Sequence, residues 1–388
     1  MYPENGASSL AVAPAATAVF TAVLTEGPLS RVSLARRLGL SSAAVTKAAR
    51  PLIDTGYLHE LAATERTGPG AGRPASPLAV RADREFFVGV KITADELIGV
   101  VCDLCADVRV AAHRPLTDPD VEAVLTELGR LVDELLDGPG DYRARTRRLG
   151  LAVSGDVDRT TGLVRYSPFL QWRNVPLGQR AARTTGLAVT VENDVKALTA
   201  AEQWFGEGVG AESFALVTVG TGIGCGLVVN GRLVSGSHGV AGEIGHISVD
   251  ATGPDCHCGG RGCVESIAGT HAIVRQARDR SGRPELTIDD AVALARGGDK
   301  KVKAVFARAG NAIGCGIAAV ANLVGPTRIV VSGEGLAAYD LLEAHIRFAF
   351  ERQAFGAAAQ SPLSIRPLPF EEWARGAAAV SIQSLVVP

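Results

Sequence analysis

The stretch from Gly239 to Glu265, GVAGEIGHISVDATGPDCHCGGRGCVE, constrains the chain more than any other. It holds three of the seven cysteines, Cys256, Cys258 and Cys263, spaced C-x-C-x4-C. Gly259, Gly260 and Gly262 lie between the last two, and His246 stands ten residues before the first. Three thiolates and one imidazole are the ligand set of a closed tetrahedral zinc site, and glycines allow the tight backbone path that aims the sulfurs inward. Such a site orders a loop with little apolar content of its own. A disulfide pair or unrelated buried cysteines are the competing readings. Nothing in the sequence suggests export, and three clustered cysteines leave an odd one, so a disulfide is disfavoured.

At 388 residues the chain is long enough for two or three domains, and 47% hydrophobic residues supply sizeable cores. No apolar run approaches the roughly 20 residues of a membrane span. The N-terminus, MYPENGASSLAVAPAATAVF, has an alanine-rich apolar segment with no basic region before it, so it does not read as a signal peptide. These features predict a protein of the reducing cytoplasm. The net charge of −2 gives no general attraction to nucleic acid, but it conceals a local asymmetry.

Residues 1–14 are expected to be disordered. From Ala15 an apolar pattern at helical spacing runs through Val19, Val23 and Leu24 to Gly27-Pro28, a stop signal. In LSRVSLARRLGLSSAAVTKAARPLIDTGYLHE, the residues Leu34, Ala35 and Leu38 mark one helix, Gly39 breaks it, and Ser41 is placed to cap a second one carrying Val45, Ala48, Ala49 and Leu52 inward. Two short helices joined by a glycine turn form the helix-turn-helix pattern. Between Pro28 and Arg50 stand five basic residues, Arg31, Arg36, Arg37, Lys47 and Arg50, and no acidic ones, the bias that phosphate contact requires. Tyr57–Leu61 and Ser76–Val80 are expected to pair as a wing, with Arg66 and Arg73 at its tip. This makes residues 15–82 a winged helix-turn-helix. Its recognition helix would be Ser42–Leu52, with Ser42, Ala43, Thr46 and Lys47 facing bases and Arg50 facing phosphate. The bland alternative is a small helical subdomain for protein contacts.

FFVGVKITADELIGVVCDL is two β-rich runs around a short loop, and SFALVTVGTGIGCGLVVNGRLV repeats that design with a glycine-rich loop. Two such units predict a duplicated α/β architecture with a cleft between lobes. Between them lie a helix over Val121–Leu136, a basic patch at Arg143–Arg148 that reads as a solvated face, and the strand LGLAVSG. LAVTVEND then leads into a helix, and read alone Asp194 is that helix's N-cap. Farther on, Val302, Val305, Phe306, Ala309, Ile313, Ile317, Val320 and Leu323 mark one long helix, with Gly314 and Gly316 allowing close packing. The strand RIVVSGEG follows, and a helix from about Glu371 to Leu385 closes the chain on the first lobe. The lobes divide as 83–195, completed by 371–388, and 196–370.

The run GEIGH followed by C-x-C-G-x-x-G-C-x-E resembles the signature of the ROK family of repressors, open reading frames and sugar kinases. The resemblance extends over about residues 15–388. It implies a two-lobed actin-like, ribonuclease H-like fold. It also implies a structural zinc on His246, Cys256, Cys258 and Cys263, and a sugar faced by Glu243, His246 and Glu265. In the family's kinases an Asn-Asp pair, here Asn193-Asp194, binds sugar hydroxyls, and the Asp takes the proton from the hydroxyl to be phosphorylated. Gly155 would let backbone approach the ring; Asp156 stands where the family usually has proline.

A kinase also needs phosphate loops. The second hairpin keeps one in Gly220, Thr221, Gly222 and Gly224. The first has Lys91-Ile92-Thr93-Ala94-Asp95, with lysine where the kinases carry the aspartate that positions metal and nucleotide. Ser332-Gly333-Glu334-Gly335 puts a carboxylate where a second glycine is usual. Sugar and zinc elements intact beside degraded nucleotide elements predict a sugar-responsive transcriptional regulator, a repressor rather than an enzyme, with no use for ATP. Its partners would be double-stranded operator DNA and a monosaccharide, and it would act as a homodimer or homotetramer at the nucleoid. The alternative is an ATP-dependent sugar kinase with an added DNA-binding domain. A regulator answering to a protein or a sugar phosphate is a third reading, its phosphate version disfavoured by an acidic pocket.

Overall fold

Pro14 at the first helical position and Gly27 just past the last bound α1 (Pro14–Glu26), which buries Ala16, Val19, Phe20 and Val23. The helix starts one residue before the Ala15 boundary read from the pattern. Gly39 ends α2 (Arg31–Leu38) in the left-handed conformation, and the Ser41 hydroxyl caps α3 (Ser42–Asp54) by accepting the Ala44 N–H at 3.1 Å. β1 (Leu58–Glu60) and β2 (Leu78–Val80) pair antiparallel. This computed structural model describes residues 13–62 and 76–386. Arg66 and Arg73 of the expected wing tip, and the first twelve residues, lie outside them.

The chain divides into two units, 1–210 with 371–388, and 211–370. The first contains a five-stranded sheet built from β3 (Phe86–Ile92), β4 (Glu96–Asp103), β5 (Val108–Pro115), β6 (Thr146–Val153) and β10 (Ala188–Asn193) in the order β10-β6-β3-β4-β5. Before β6 come α4 (Val121–Leu136) and the short α5 (Tyr142–Arg145). Between β6 and β10 come a small sheet of β7 (Asp156–Asp158), β8 (Leu163–Ser167) and β9 (Trp172–Val175), then α6 (Leu177–Thr185). α7 (Asp194–Phe205) follows β10 directly.

The second unit repeats the plan with β11 (Phe214–Val219), β12 (Ile223–Val229), β13 (Arg232–Leu233), β14 (Arg328–Ser332) and β15 (Leu363–Ile365), in the order β13-β12-β11-β14-β15. In both sheets a hairpin (β3–β4, β11–β12) is flanked by a further antiparallel strand on one side and parallel strands on the other. The expected duplication is present. The helices α8 (Val264–Ala268), α9 (Thr270–Ser281), α10 (Ile288–Arg296), α11 (Lys300–Val324) and α12 (Tyr339–Gln353) cover the second sheet. α11 is long and apolar enough to cross a membrane by length and composition, yet 67% of its apolar window is buried inside the unit. Leu323 continues the α11 apolar spacing but is 84% exposed in the last turn. Close packing on α12 falls to Gly310 and Gly314, whose missing Cβ atoms would stand 2.8 Å from the Leu342 carbonyl and 2.4 Å from that of Ile346. Gly316 meets nothing nearer than 3.4 Å, so it is not the residue that sets this approach.

α13 (Glu371–Gln383) belongs to the first unit and lies on its sheet. Strand alternation explains how. Val88, Val90 and Ile92 point into one core with α4, whereas Phe87, Gly89 and Lys91 point to the α13 side, as do Gly150 and Ala152 of β6. A Cβ on Gly89 would sit 2.0 Å from the Ala374 carbonyl, and one on Gly150 1.8 Å from that of Ala377. The helix backbone rests directly on the sheet. Replacing Gly150 by alanine therefore has to lift α13, and a loss of about 1–3 kcal/mol is expected, as for overpacked cores. The urea midpoint of unfolding measures it; an unchanged midpoint contradicts this account.

Candidate functional site

At the C-terminal edge of the first sheet, β10 runs without a break into α7. Asn193, not Asp194, is the N-cap: its side-chain oxygen accepts the Lys196 N–H at 3.1 Å. That corrects the sequence-based expectation for Asp194, and the reason is local. Asn193 keeps the extended backbone a cap needs, and the chain turns helical one residue later. The Asn193 amide nitrogen donates to the Gly155 carbonyl at 3.0 Å, so both of its polar ends are engaged. Gly155 has φ +116°, and a Cβ there would fall 2.2 Å from the Tyr166 carbonyl, so backbone packing alone demands glycine.

Asp194 is buried and forms an ion pair with Lys91, the penultimate residue of β3. Ser154 donates to the same carboxylate oxygen at 2.6 Å and lies 3.1 Å from the Lys91 nitrogen. The other oxygen accepts the Val195 N–H at 2.9 Å. Burial by itself raises the Asp194 pKa, but the Lys91 charge, with hydrogen bonds from Lys91, Ser154 and Val195, outweighs it and holds the carboxyl below its ordinary value. The Lys91 nitrogen also lies over the Trp373 ring of α13, 5.3 Å from its centroid. Beside this pair, Glu192 is pushed up by burial, opposed by Arg159 at 3.3 Å, and Arg165 holds Asp156 at 3.0 Å and Asp158 at 2.8 Å. Each of these buried or half-buried carboxylates thus has a basic partner within the first unit. Sequence reasoning treated Lys91 only as a departure from the kinases. The signal that it needed a buried anion was its place at the end of the otherwise apolar strand FFVGVKI.

In the second unit, GEIGH is pressed onto β12. A Cβ on Gly242 would lie 2.0 Å from the Cys225 carbonyl, and one on Gly245 2.2 Å from that of Ile223. Glu265, on α8, accepts the Ile223 N–H at 3.0 Å, so Glu243, His246 and Glu265 are all positioned from one strand. His246 Nε2 stands 4.0 Å from Glu243, and His257, which sequence reasoning did not single out, stands 3.4 Å from Glu265. The segment after GEIGH folds on itself through backbone hydrogen bonds, Val249 to Gly262 at 2.9 Å, Gly262 to Pro254 at 2.8 Å and Cys256 to Gly260 at 2.8 Å.

His246, Cys256, Cys258 and Cys263 converge, their ligand atoms within 4.8 Å of one another. Cys258 and Cys263 sulfurs are 3.8 Å apart, and Cys256 sulfur is 3.6 Å from His246 Nδ1. A tetrahedral zinc with bonds of about 2.3 Å to sulfur and about 2.0–2.1 Å to nitrogen requires edges of about 3.8 Å and about 3.6 Å. The donor set fits the ion, and it leaves His246 Nε2 turned to Glu243.

On α3, Ser42, Ala43, Thr46, Lys47 and Arg50 are exposed, while Val45, Ala48, Ala49 and Leu52 are buried. Arg73 lies outside the described residues. The local excess of five basic residues is partly balanced by acids from outside the segment: Arg31 pairs with Glu60, Arg37 with Glu26 at 2.7 Å, and Arg50 with Asp54 at 3.8 Å. The end of α3 is clamped. Arg84 donates to the Thr55 carbonyl at 3.1 Å and stacks on Tyr57, whose hydroxyl donates to Glu85 at 2.9 Å. Burial and the Glu85 carboxylate push the Tyr57 phenol up to about 12.

The ROK family model matches residues 87–383. The DNA-binding transcriptional dual regulator NagC of Escherichia coli K12 is 31% identical over 329 residues, 82% of this chain and 79% of its own. The crystal structure of a ROK-family transcriptional regulator homologous to E. coli Mlc superposes with a TM-score of 0.80 at 30% identity, over 96% of each chain. A ROK-family glucokinase from Streptomyces griseus, solved with glucose and AMPPNP, superposes at 0.67 and 28% identity over 99% of its own chain but 77% of this one.

Breaking the Lys91–Asp194 pair on one side leaves an uncompensated buried charge, which costs about 3–5 kcal/mol. Lys91→Met and Asp194→Asn are each expected to lower Tm by at least about 6 °C, and the double variant Lys91→Met/Asp194→Leu to recover much of that. Because the folded carboxyl lies below its ordinary value of 3.8, the contribution is present at neutral pH and is lost as pH falls through that folded value. Calorimetric melting of the three variants checks it; single variants that melt with the wild type would refute the pairing.

Proposed function

Because the chain belongs to the ROK family, we infer that it is a sugar-responsive transcriptional regulator, not a sugar kinase. The observation that carries this is the difference in coverage. The regulator structure matches over 96% of the chain, whereas the glucokinase accounts for all but 1% of itself and leaves 23% of this chain unmatched. The family match starts at residue 87, so α1–α3 and the β1–β2 hairpin precede it. In this reading those elements are a winged helix-turn-helix, residues 15–82, with α3 as the recognition helix. Ser42, Ala43, Thr46 and Lys47 face bases, Arg50 faces phosphate, and Arg73 of the wing reaches a groove. The exposed face of α3 supports that assignment, and so does the clamp on its C-terminal end.

The sugar contacts are Gly155, Asn193 and Asp194 in the first unit, and Glu243, His246 and Glu265 in the second. Hydroxyl-rich ligands suit such acceptor-rich sets. Zinc on His246, Cys256, Cys258 and Cys263 orders the loop that positions Glu243 and His246, and takes no part in chemistry. Both Asp194 oxygens are engaged by protein donors, which suits a hydrogen-bonding role better than a general base. ATP is not a cofactor.

Sugar and DNA affinities are then linked. α1–α3 share one apolar core with β4, α13 and Trp204, which lies at the far end of the helix that Asp194 opens. A ligand that acts on Asp194 therefore acts on an element packed against the DNA-binding region. In a homodimer or tetramer, two recognition helices must sit about 34–36 Å apart to enter successive major grooves. A coupling of about 1–3 kcal/mol changes operator affinity about 5- to 150-fold. The protein would act in the cytoplasm, at the nucleoid.

Fluorescence anisotropy on the protein's own upstream DNA, at fixed salt and without nucleotide, tests this against a panel of xylose, glucose, glucosamine and N-acetylglucosamine. One sugar is expected to shift operator affinity within that range. DNA binding that no sugar alters would overturn the sensing role, and absence of DNA binding the regulator reading itself. Cys258→Ser is expected to lose zinc and the sugar response together; a zinc-free variant with wild-type sugar binding would contradict the role given to the metal.

A further inference from the structure

We propose that Glu334 is a nucleotide-excluding residue, its carboxylate a built-in anion seated in the phosphate cradle of the β11–β12 loop. The loop, Gly220-Thr221-Gly222, has the short glycine-rich form whose converging N–H groups hold phosphate oxygens. It lies where parallel strands β11 and β14 end side by side, Thr218 opposite Ser332, the usual place for an anionic ligand in a parallel sheet. The Thr221 N–H, the group that would meet a phosphate oxygen, donates instead to Glu334 Oε1 at 2.7 Å. The same carboxylate lies flat against Gly220: a Cβ there would be 2.0 Å from Oε1 and 2.1 Å from the carboxyl carbon. While the carboxylate sits there, it occupies the space over this glycine.

The side chain is aimed by backbone. Gly333 has φ +106°, and a Cβ on it would fall 2.4 Å from the Val219 carbonyl; one on Gly335 would fall 2.8 Å from the same oxygen. These two glycines bring the turn Glu334–Ala338 hard against the end of β11, with Glu334 as its first residue. Glu334 is also exposed, so its charge stays solvated and its seat carries no burial cost. A nucleotide phosphate entering the loop would have to displace a carboxylate from its hydrogen bond and then sit beside its charge. The donor at Thr221 is thus filled from within, while the Gly220 N–H closes the turn on the Gly222 carbonyl at 3.1 Å. Operator occupancy would follow sugar without following the adenylate pool. The inference rests on the loop geometry and does not require sugar sensing or operator binding to hold.

Equilibrium binding of ADP, with and without magnesium, and of tripolyphosphate, to the full-length protein and to Glu334→Gly and Glu334→Ala, tests the proposal. Circular dichroism and thermal unfolding select the variants that retain the fold. The wild type is expected to show no saturable binding at millimolar ligand. At least one folded variant should gain tenfold or more in affinity for both ligands. Glu334→Gln, which keeps the bulk and removes the charge, should fall between them. Wild-type binding within threefold of the folded variants would overturn the proposal. So would a folded Glu334→Gly or Glu334→Ala that gains no binding to either ligand.

Discussion

Gly89 and Gly150 face each other across the β3–β6 pair, and the first unit is built on what they lack. With no Cβ at either position, α13 lies with its own carbonyls against the sheet, closer than any side chain permits. The far side of α13 also meets α7 closely, through Gly376, where a Cβ would stand 2.8 Å from the Leu198 nitrogen. Ile382 and Leu385, at its end, join the core of α1–α3. A segment from the chain's last residues therefore holds together the sheet, the helix that carries Asp194, and the N-terminal helices. Dense packing of this kind transmits displacement instead of absorbing it, because interiors have few voids to yield.

On that frame sits a charge arrangement unsuited to phosphoryl transfer. A general base needs a lone pair directed at the substrate, and the Asp194 oxygens are spent on Lys91, Ser154 and the Val195 N–H. The lysine cannot be removed alone, since the buried carboxylate would then be unpaired. In the other unit the anion seat holds a carboxylate of the chain itself. The two halves depart from a kinase's requirements by opposite means, a cation beside Asp194 and an anion on the glycine loop. Ligand recognition needs shape and hydrogen bonds but no leaving group, so such charges are compatible with a binding module.

The proposed regulation follows from how the N-terminal helices are attached. They are joined to the sheet by a continuous apolar core that includes Phe20, Leu52, Ile98, Val100 and Ile382, and by the Arg84–Tyr57–Glu85 clamp at the end of α3. If α3 is the DNA reader, it would move with its lobe, and the energy that a sugar supplies would be expressed as its orientation. A modest coupling would suffice, because operator binding would depend on two helices meeting the groove together.

Much was legible in the sequence because it was local. The C-x-C-x4-C spacing with His246 specified a ligand set whose sulfur and nitrogen edges match zinc. Gly39 and Ser41 marked a turn between two helices, and the twin strand–loop–strand runs announced the duplicated sheets. These depend on residues near one another, where propensity and spacing dominate. What required the tertiary structure was every interaction between distant positions. Lys91 and Asp194 are 103 residues apart, and Thr221 and Glu334 are 113 apart. Composition cannot say that a lysine neutralises one particular aspartate or that a glutamate fills one particular loop. Nor could the N-cap be moved from Asp194 to Asn193 until the backbone was seen to stay extended at 193 and turn helical at 194. Sequence alone determined the family, the zinc ligands' spacing and the loss of nucleotide motifs. The tertiary structure decided that those losses are occupied positions and not empty ones, because only folding brings the replacing charge to the place it fills.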